Sequence, residues 1–527
     1  MQYILSTSDY RSFKLLCPTT CREEHTFNGA APANRALNGD LVNLDDSGIS
    51  ICKRAAHPLL AGHLQTRTKT IYGMTSRGAP LFLFTPFNKA YPSMRVGAAN
   101  MDRTKNHIII VRFDNWEPQD SLPRGAMEMC LGDAEDREAE KKALLFDASP
   151  NWRLKVALIP SPQPVSRLEI NQQTGWQTIN IDPEGCRDVD DTLSWSPQPD
   201  GTTEFAIGIS DVAAAIEEGT TLDIQARKHA QTIYTAEGKA VRPMLPPELS
   251  EGELSLKPGT PKNTVSLLFT LTQDSTINSV RFQITTTTND QTFSYESASD
   301  HPQNQLFIAL TRTIQSRIPA IASLQAEDPH NWIQALMVFY NVEAAASAAI
   351  LRSHDAPDKE KLATMTSVLP ELAMYAMEAA KYTHPSTCQP HHGFQSLYCH
   401  ATSPIRRYAD LVNQRALKHT LLGLKEQKPV VTGSVIFQLN TAQKAAKRYE
   451  RDMFFSQELH EGLRVVSGIV VSITSTKIHI YVPKWKRIIK TKSDKVLEPK
   501  QEVKLAFVYD SSKSSWKDRI ICRIEGL

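Results

Sequence analysis

The sequence lacks the features that would place this protein in a membrane or make it depend on disulfide bonds. It has no apolar run long enough to cross a bilayer, and its first residues are too few and too polar for a signal peptide. Its eight cysteines include no CxxC pair, which favours reduced thiols. We therefore expect a cytoplasmic or nuclear protein with no membrane partner.

A strong net charge is also lacking, but the charge is unevenly distributed. The 527 residues carry a net charge of +2, whereas residues 463–527 contain 14 Lys and Arg against 6 Asp and Glu, a net of +8. A polyanion is the expected partner of this segment, with Trp485 and Trp516 as candidate exposed aromatic contacts. The alternatives are a solvated lysine-rich surface and a segment that packs on the rest of the protein.

The hydrophobic pattern predicts small β domains around a mixed core. Short strands are expected before Arg54 and after Val465, and the length suits several domains. Flanking β domains of this size suit OB-type barrels, a common nucleic-acid-binding architecture. The more specific predictions are buried strands at Leu81–Phe84 and His107–Val111, a charged helix or linker at Asp133–Lys142, and helices at Leu336–Leu351 and Thr441–Leu463.

Four aspartates occur within ten residues, at Asp182, Asp188, Asp190 and Asp191. Such a set must protonate, remain solvated or bind cations, and its oxygen atoms suit Mg²⁺ or Mn²⁺. The pattern predicts a strand end at 178–181 followed by a turn at 183–185. Asp191 would point away from the other carboxylates on an extended chain, so we expect a bulge or loop in the site.

A second motif, Thr402-Ser-Pro-Ile-Arg-Arg-Tyr408, contains two adjacent arginines. Ser403 is predicted to cap a helix that begins at Pro404. Arg406 and Arg407 would then lie in the first turn, where the helix dipole favours a negative partner, so a phosphate site is expected. The alternative is a pair of surface arginines on an ordinary helix.

Together the two motifs resemble the ribonuclease II family of 3′-to-5′ exoribonucleases. The spacing of the aspartates matches that family, and further matches occur at Ile209–Val212, at Tyr234 with Pro243–Pro246, and at Phe293–Tyr295. The N-terminal half is most similar to the exosome-associated eukaryotic branch, but its cold-shock-like region begins at Met1, with no endonuclease domain before it.

The resemblance implies an α+β multidomain protein, in which an α/β catalytic domain is flanked by small OB-fold β-barrels. The expected divisions are a truncated cold-shock-like OB domain at 1–53, a second one at 54–150, the catalytic domain at 151–462 and a basic C-terminal OB-fold RNA-binding domain at 463–527. The segment between Pro357 and Gly393 is shorter than is usual in the family. These departures count against association with an exosome, and we expect a monomer.

The implied activity is processive, Mg²⁺-dependent hydrolysis of single-stranded RNA to 5′ mononucleotides, with Mn²⁺ as an alternative ion. The roles that the resemblance implies are catalysis by Asp190 and Arg406, metal binding by Asp182, Asp188 and Asp191, and RNA binding by Tyr234, Tyr295, Arg407 and Glu450.

Parts of the sequence fit three other interpretations. A catalytically inactive RNA-binding or regulatory protein is the main alternative, and the presence of all four aspartates and Arg406 argues against it. The string Asp188–Leu193 also fits the start of a haloacid-dehalogenase-type phosphatase, but Pro183–Arg187 stands where that motif needs a hydrophobic strand. Histidines and cysteines around the second motif could suggest structural zinc, but no CxxC pair anchors them.

Overall fold

Five-stranded sheets with the same strand order occur three times in this chain, around one larger sheet. The computed structural model describes residues 1–150, 167–424, 431–459, 462–475, 477–492, 496–510, 513 and 516–525. In each small sheet the first strand lies between the second and the fourth, and the fifth follows the fourth, an order that suits OB-type domains. The α+β multidomain fold class with OB-type β domains is confirmed.

The N-terminal sheet has the order β3-β2-β1-β4-β5 and packs around Leu5, Phe13 and Val42. The buried Asp40 connects it to the chain that follows, because its carboxylate accepts the Ala55 N–H at 2.9 Å and pairs with Arg54 at 2.6 Å. Its strands are β1 (Gln2–Thr7), β2 (Ser12–Leu16), β3 (Glu23–Asn28), β4 (Leu41–Asp45) and β5 (Gly48–Lys53).

The second sheet closes into a barrel, because its fifth strand pairs in parallel with its third. The predicted buried strands are confirmed as the second and fourth of this barrel. Its strands are β6 (Leu60–Leu64), β7 (Leu81–Pro86), β8 (Met94–Gly97), β9 (His107–Asn115) and β10 (Arg124–Asp133). Helix α1 (Arg137–Ala148) follows and buries Ala143 and Leu144. The charged segment at 133–142 is therefore helical from Arg137 onward.

The central sheet has the order β11-β18-β17-β14-β13-β12-β19. Its strands and those of two small hairpins are β11 (Leu168–Ile170), β12 (Gln177–Asp182), β13 (Asp191–Pro197), β14 (Thr203–Ser210), β15 (Ile233–Tyr234), β16 (Ala240–Arg242), β17 (Pro261–Leu271), β18 (Ile277–Thr288), β19 (Gln291–Ser294), β20 (Leu351–Ser353) and β21 (Lys381–Thr383).

The two faces of the central sheet differ because side chains alternate along each strand. One face carries large apolar residues, including Trp195, Ile207 and Phe269, and packs on two helices of the same core. The other face carries buried hydroxyl groups that bond to one another, as Thr264 and Thr285 do at 2.6 Å. The apolar face holds the sheet to its helices.

Ten further α-helices follow α1 in the residues that the structure describes. They are α2 (Val212–Ala215), α3 (Thr221–His229), α4 (Tyr295–Ala298), α5 (Asn304–Arg317), α6 (Pro329–Ala344), α7 (Lys359–Val368), α8 (Ala373–Ala376), α9 (Tyr408–Leu421), α10 (Gly433–Glu458) and α11 (Trp516–Arg519). Helices α5 and α6 cover the apolar face of the central sheet.

Both long helices were predicted with the wrong limits. Helix α6 begins seven residues before Leu336, where Asp328 caps it and Pro329 takes its first position. It gives way to a 3₁₀ turn at Ala345, and β20 begins at Leu351. Helix α10 begins eight residues before Thr441 and ends at Glu458. The composition of the two segments predicted that each contains a helix, but it did not predict the residues at which the helices begin and end.

The C-terminal sheet has the order β24-β23-β22-β25-β26 and packs on α10. Its strands are β22 (Arg464–Ile473), β23 (Ile478–Val482), β24 (Arg487–Thr491), β25 (Glu502–Tyr509) and β26 (Ile520–Ile524).

The boundaries between the predicted domains, at residues 53, 150 and 462, remain predictions. All eight cysteines are free thiols. No helix in the described residues is long and apolar enough to cross a membrane.

The expectation that Trp485 is an exposed aromatic contact is wrong. Only 7% of Trp485 is exposed, and its ring packs against Phe454 and Phe455 of α10 and against Phe507 of β25. The side chain of Trp516 lies outside the described residues. Its basic neighbours in the sequence predict exposure, whereas the ring fills the space between α10 and the C-terminal sheet. Trp485 thus packs the basic segment on the rest of the protein, and binding of a polyanion by this segment remains a prediction.

A buried ion pair joins the C-terminal segment to α1 and the closed barrel. Arg519 and Glu140 of α1 are 1% and 3% exposed, and Arg519 Nη1 lies 2.6 Å from Glu140 Oε1. Arg519 Nη2 also lies 2.7 Å from His63 Nε2 of the closed barrel. The C-terminal sheet, α1 and the closed barrel thus meet at one guanidinium group.

We expect Arg519→Met to lower the free energy of unfolding by about 3–5 kcal/mol, because it leaves the Glu140 carboxylate buried without its cation. Arg312→Met is the matched control, since Arg312 pairs with Glu327 at the surface and such pairs contribute about 0–1 kcal/mol. Urea unfolding of both variants measures the difference. Equal losses would show that the Arg519 pair does not hold the junction.

Candidate active site

The four aspartates lie on one strand–loop–strand segment. Strand β12 ends at Asp182, and a turn follows in which the Cys186 N–H donates to the Pro183 carbonyl at 3.0 Å. The chain then has no regular structure until β13 begins at Asp191. The predicted strand end, turn and loop are confirmed.

The loop is held from behind by Ser255, which is fully buried. The Ser255 hydroxyl donates to the Arg187 carbonyl at 2.8 Å and accepts the Val189 N–H at 3.0 Å. The Leu256 N–H also donates to the Val189 carbonyl at 3.0 Å. These bonds fix the backbone on both sides of Asp188.

Asp182 and Asp191 are carboxylates whose negative charge is only partly offset. Burial raises the pKa of both, and the charge of Asp182 raises the pKa of Asp191 further. Arg406 acts in the opposite direction but leaves both pKa values above the ordinary range. In the part of the chain that the structure describes, the Asp191 carboxylate accepts no hydrogen bond. The carboxylate oxygens of Asp182 and Asp191 are therefore available to bind a cation.

Asn180 orients Asp182 and was not singled out from the sequence. Its Nδ2 donates to Asp182 Oδ2 at 2.8 Å, while its Oδ1 accepts from Asn289 Nδ2 and Thr292 Oγ1, both at 2.7 Å. The available signal was spacing, because residues two apart on a strand share a face.

Asp190 joins the two motifs. Its Oδ1 accepts the Ile405 N–H at 3.0 Å, and its Oδ2 accepts from Arg406 Nε at 3.1 Å. Burial raises the pKa of Asp190 to about 7. Asp190 is 4% exposed, whereas the Arg406 side chain is 44% exposed. Arg406 is therefore anchored on its inner side and still accessible on its outer side.

The predicted helix start at Ser403 and Pro404 is wrong, because α9 begins at Tyr408. Residues 403–407 form turns in which the N–H groups of Arg406 and Arg407 donate to the Ser403 carbonyl. Both arginines therefore precede the helix, and the phosphate site at a helix N-terminus is not formed as expected.

Asp410 explains this difference. Its Oδ1 accepts the Ser403 N–H and Arg407 Nη2, both at 2.8 Å, in the first turn of α9. A carboxylate from the chain itself thus occupies the position where an external anion was expected. Arg407 is turned toward this buried aspartate, and its predicted contact with RNA stays a prediction.

Tyr234 lies in the site, as predicted, with a partner that the sequence did not indicate. Its hydroxyl donates to Asp188 Oδ2 at 2.5 Å. The hairpin that carries it is tied to the second motif, because the Thr232 N–H donates to the Arg406 carbonyl at 2.9 Å. Stacking of Tyr234 on a base stays a prediction.

Tyr295 also lies near the carboxylates. Burial, followed by the charges of Asp182 and Asp191, raises the pKa of Tyr295 to about 12. Its ring stacks on His330, with ring centroids 3.6 Å apart and planes at 17°. The sequence did not indicate this contact with His330.

Glu450 is the predicted site residue that the structure does not tie to the others. It is exposed on α10, and among the described residues it makes no hydrogen bond or ion pair with the aspartates or Arg406. Its predicted role with RNA is untested.

The donor chemistry of the site fits a hard divalent cation, although the carboxylates are not gathered around one point. Among the described residues, no group of three or more His, Cys, Asp or Glu side chains is close enough to hold a metal ion. Asp188 and Asp190 are occupied by Tyr234 and Arg406, whereas Asp182 and Asp191 retain unsatisfied charge. Carboxylate oxygens with unsatisfied charge are suitable Mg²⁺ ligands.

Comparison with known proteins matches two parts of the chain. The RNB domain matches residues 170–306 and 301–423, which contain both motifs, and the Dis3-like cold-shock domain 2 matches residues 81–149. Exosome complex exonuclease RRP44 homolog A of Arabidopsis thaliana is 25% identical over 78% of this chain and 54% of its own length. Exosome complex exonuclease dis3 of Schizosaccharomyces pombe is 22% identical over 89% of this chain and 60% of its own length. The chain thus spans little more than half of these relatives.

Solved structures share the fold. RNase R of Mycoplasma genitalium, in complex with ribose-methylated single-stranded RNA, superposes with a TM-score of 0.70 at 18% identity and covers 100% of both chains. Yeast Ssd1, described as a pseudonuclease, superposes with a TM-score of 0.72 at 17% identity over 96% of this chain and 81% of its own. At these identities the likeness establishes the fold alone.

We expect Asp191→Asn to stabilise the metal-free protein, because it removes one negative charge from the Asp182–Asp191 pair. The melting temperature should rise, because burial and the charge of Asp182 raise the pKa of Asp191 and so disfavour its ionised form in the folded protein. Thermal melting in EDTA at pH 7.5 measures it, with Glu184→Gln as the control for the same chemical change at a nearby exposed site. An Asp191→Asn protein that melts at or below the wild-type temperature would show that this charge is already compensated.

Proposed function

We propose that this chain, which belongs to the ribonuclease II family, is a 3′-to-5′ exoribonuclease that hydrolyses single-stranded RNA processively to 5′ mononucleotides. The observation that carries this proposal is the joining of the two motifs by Asp190, which anchors the accessible Arg406 beside the Asp182–Asp191 pair. The guanidinium of Arg406, which can bind a phosphate, thus lies beside carboxylates that can bind a metal ion.

Mg²⁺ is the proposed cofactor, with Mn²⁺ as an alternative. Asp182, Asp188 and Asp191 are the proposed ligands, and Asp188 can bind through Oδ1 while its Oδ2 accepts the Tyr234 hydroxyl. The chemistry supplied by bound divalent ions in such sites is activation of water and stabilisation of the leaving oxygen.

Arg406 is proposed to bind the scissile phosphate. Its guanidinium stays charged at any working pH, and its fork of N–H groups matches phosphate oxygens. Asp190 holds Nε and the Ser403 hydroxyl accepts from Nη2 at 3.0 Å, so the plane of the group is set before RNA arrives. An oriented donor of this kind stabilises charge that develops in the transition state.

The RNA-binding surfaces are proposed to act without strong sequence preference. OB-type domains bind single strands through basic charge and base stacking, both of which tolerate any base. Tyr234 and Tyr295 lie beside the aspartates and are the proposed contacts for the 3′ end. Arg407 and Glu450 are retained as weaker candidates, since one faces Asp410 and the other is exposed on α10.

A catalytically inactive RNA-binding protein is the second candidate function. One observation favours it: the fold is shared with yeast Ssd1, described as a pseudonuclease. The fold therefore does not distinguish an active enzyme from an inactive RNA-binding protein. Only the residues of the site can distinguish them. The presence of all four aspartates together with the anchored Arg406 supports the enzyme.

Incubation of 5′-labelled poly(A) with the purified protein and Mg²⁺, and then with EDTA, tests the proposal. We expect the label to move directly into short end products with Mg²⁺ and to stay in intact RNA with EDTA. RNA that remains intact under both conditions, although it is bound in a gel-shift assay, would support the RNA-binding alternative.

We expect Asp190→Asn to abolish cleavage and to leave RNA bound. The amide can still accept the Ile405 N–H, but its NH₂ group would face the Arg406 Nε–H, so Arg406 loses its anchor. Cleavage on a sequencing gel and binding by fluorescence anisotropy measure the two effects. Retained turnover would contradict the catalytic role.

We expect Arg406→Ala to lower turnover by about 10²–10³, with a smaller effect on affinity, because one aligned donor is lost from the transition state. Single-turnover cleavage at saturating protein separates the rate from binding. Unchanged turnover with weaker binding would show that Arg406 only docks the RNA.

A further inference from the structure

Asn289 is a buried residue, 3% exposed, in the connection between β18 and β19. This connection is fixed to β12, because the Asp290 N–H donates to the Thr178 carbonyl at 2.9 Å and Asp290 Oδ2 accepts the Thr178 N–H at 2.8 Å. The Asn289 carbonyl also accepts the Gly259 N–H at 3.0 Å. Two neighbouring segments therefore hold the backbone of Asn289 in place.

The side-chain amide of Asn289 joins two parts of the site. Its Oδ1 accepts the Gln291 N–H at 3.2 Å, which turns the NH₂ group toward two acceptors. One acceptor is Asn180 Oδ1 at 2.7 Å, and the other is the Leu256 carbonyl at 2.8 Å. Both donors of the amide are thus used, and each bonds to a different segment of the chain.

Each of these acceptors leads to a different aspartate. Asn180 donates through Nδ2 to Asp182 Oδ2 at 2.8 Å. The Leu256 N–H donates at 3.0 Å to the carbonyl of the residue that follows Asp188. Asn289 is therefore the central member of a chain of hydrogen bonds that runs from Asp182 to the loop of Asp188.

The pairing of β12 with β13 does not set the spacing of Asp182 and Asp188. It ends at Ile179, three residues before Asp182, and a turn and a loop connect the two aspartates. Both carboxylates nevertheless face one space, because the Cys186 thiol bonds to Asp182 and lies 3.9 Å from Asp188 Oδ1. The chain of hydrogen bonds thus spans a part of the site that the paired strands leave open.

Loss of the Asn289 amide would uncouple the two parts without dismantling either of them. Asn180 would still accept the Thr292 hydroxyl at 2.7 Å, so its NH₂ group would still face Asp182. The loop of the other aspartate would keep its two bonds to the Ser255 hydroxyl. The fixed distance between the two carboxylates is what would be lost.

We propose that Asn289 is a positioning residue, whose amide holds Asp182 and Asp188 at the spacing that suits Mg²⁺ and thereby selects Mg²⁺ over Ca²⁺. The inference rests on the cofactor of the proposed function. Mg²⁺ needs nearly octahedral oxygen ligands at about 2.0–2.1 Å, whereas Ca²⁺ accepts irregular geometry at about 2.3–2.6 Å. Carboxylates at a fixed spacing can therefore favour the smaller ion, and carboxylates that move apart freely lose this preference.

Displacement of Mn²⁺ measures cation binding without cleavage. Free Mn²⁺ gives a sharp electron paramagnetic resonance spectrum that is lost on binding, so titration of the Mn²⁺-loaded protein with Mg²⁺ or Ca²⁺ gives the affinity for each ion. We expect Asn289→Ala to weaken Mg²⁺ binding by about tenfold, as loss of a residue that orients metal ligands does, and Ca²⁺ binding by about threefold or less. Asn289→Leu, which keeps a side chain of similar size but has no donor, should behave in the same way.

Cleavage of 5′-labelled poly(A) gives a second measurement. The activity of Asn289→Ala should return toward that of wild type when the Mg²⁺ concentration is raised about tenfold, because the site is weakened but its ligands remain. A variant that is merely unstable would not recover in this way.

Asn413→Ala is the matched control for the loss of a buried asparagine. Asn413 is 2% exposed, its Oδ1 accepts the Ile350 N–H at 2.8 Å, and its Nδ2 donates to the carbonyls of Ile350 and His400. It thus joins two segments as Asn289 does, but away from the aspartates. Asn413→Ala should lower the melting temperature and keep the ratio of Mg²⁺ to Ca²⁺ affinity.

Asn180→Ala breaks the same chain of hydrogen bonds one step nearer to Asp182. It should also lower the preference for Mg²⁺, which keeps the inference testable if the Asn289 variants do not fold. In the double variant Asn180→Ala/Asn289→Ala the loss should equal that of Asn180→Ala alone, because Asn289 reaches Asp182 through Asn180.

The outcomes separate this inference from the proposed function. A wild-type protein that prefers Mg²⁺ in an Asn289-dependent manner but leaves poly(A) intact overturns the exoribonuclease function and supports the positioning role. A protein that cleaves, but in which Asn289→Ala weakens both ions equally or neither, overturns the positioning role. So does an Asn289→Leu protein with the wild-type ratio, an Asn413→Ala protein with the ratio of Asn289→Ala, or an additive double variant. A wild-type protein that binds none of the three ions overturns both.

Discussion

The carboxylate of Asp190 is the constraint on which the site depends. It binds the Ile405 N–H and Arg406 Nε across 215 and 216 residues of sequence, so the central sheet and the segment before α9 meet at one side chain. Its own backbone is tied to β14, because the Ser210 N–H donates to the Asp190 carbonyl at 2.9 Å. A buried carboxylate needs such bonds, and one of them is supplied by Arg406, which is proposed to bind the scissile phosphate.

Much of the fold was predictable because it depends on local patterns. Short continuous apolar runs indicated the buried strands at Leu81–Phe84 and His107–Val111, and Pro183 with Gly185 indicated the turn between the aspartates. The limits of α6 and α9 were not predictable in this way. Helix α6 begins at a cap, Asp328, that lies well before its alanine-rich part, and α9 begins late because Asp410 draws the Ser403 N–H onto its own carboxylate.

In the candidate site, too, local patterns predicted some features, whereas others depend on contacts between residues that are distant in the sequence. Spacing and residue type indicated the four aspartates, Arg406, Tyr234 and Tyr295, and the structure brings these residues near one another. It also shows partners that no local pattern contains, since Ser255 and Asn289 reach the aspartate segment from connecting segments far along the chain. The burial of Trp485 could not be predicted either, because its neighbours Phe454, Phe455 and Phe507 are close to it only in the folded protein.

Coupling between the β domains and the catalytic core bears on how RNA would reach this site. Buried contacts at Trp485, at the Arg519–Glu140 pair and at Asp40 fix the C-terminal sheet, the closed barrel and the N-terminal sheet to their neighbours. Domains joined through buried charges and aromatic rings resist independent movement, because separation would expose an apolar surface and an unpaired charge. A strand of RNA would therefore meet a surface that is already arranged. Affinity would then depend on the basic charge of that surface, whereas the chemistry would depend on the few side chains around Asp190.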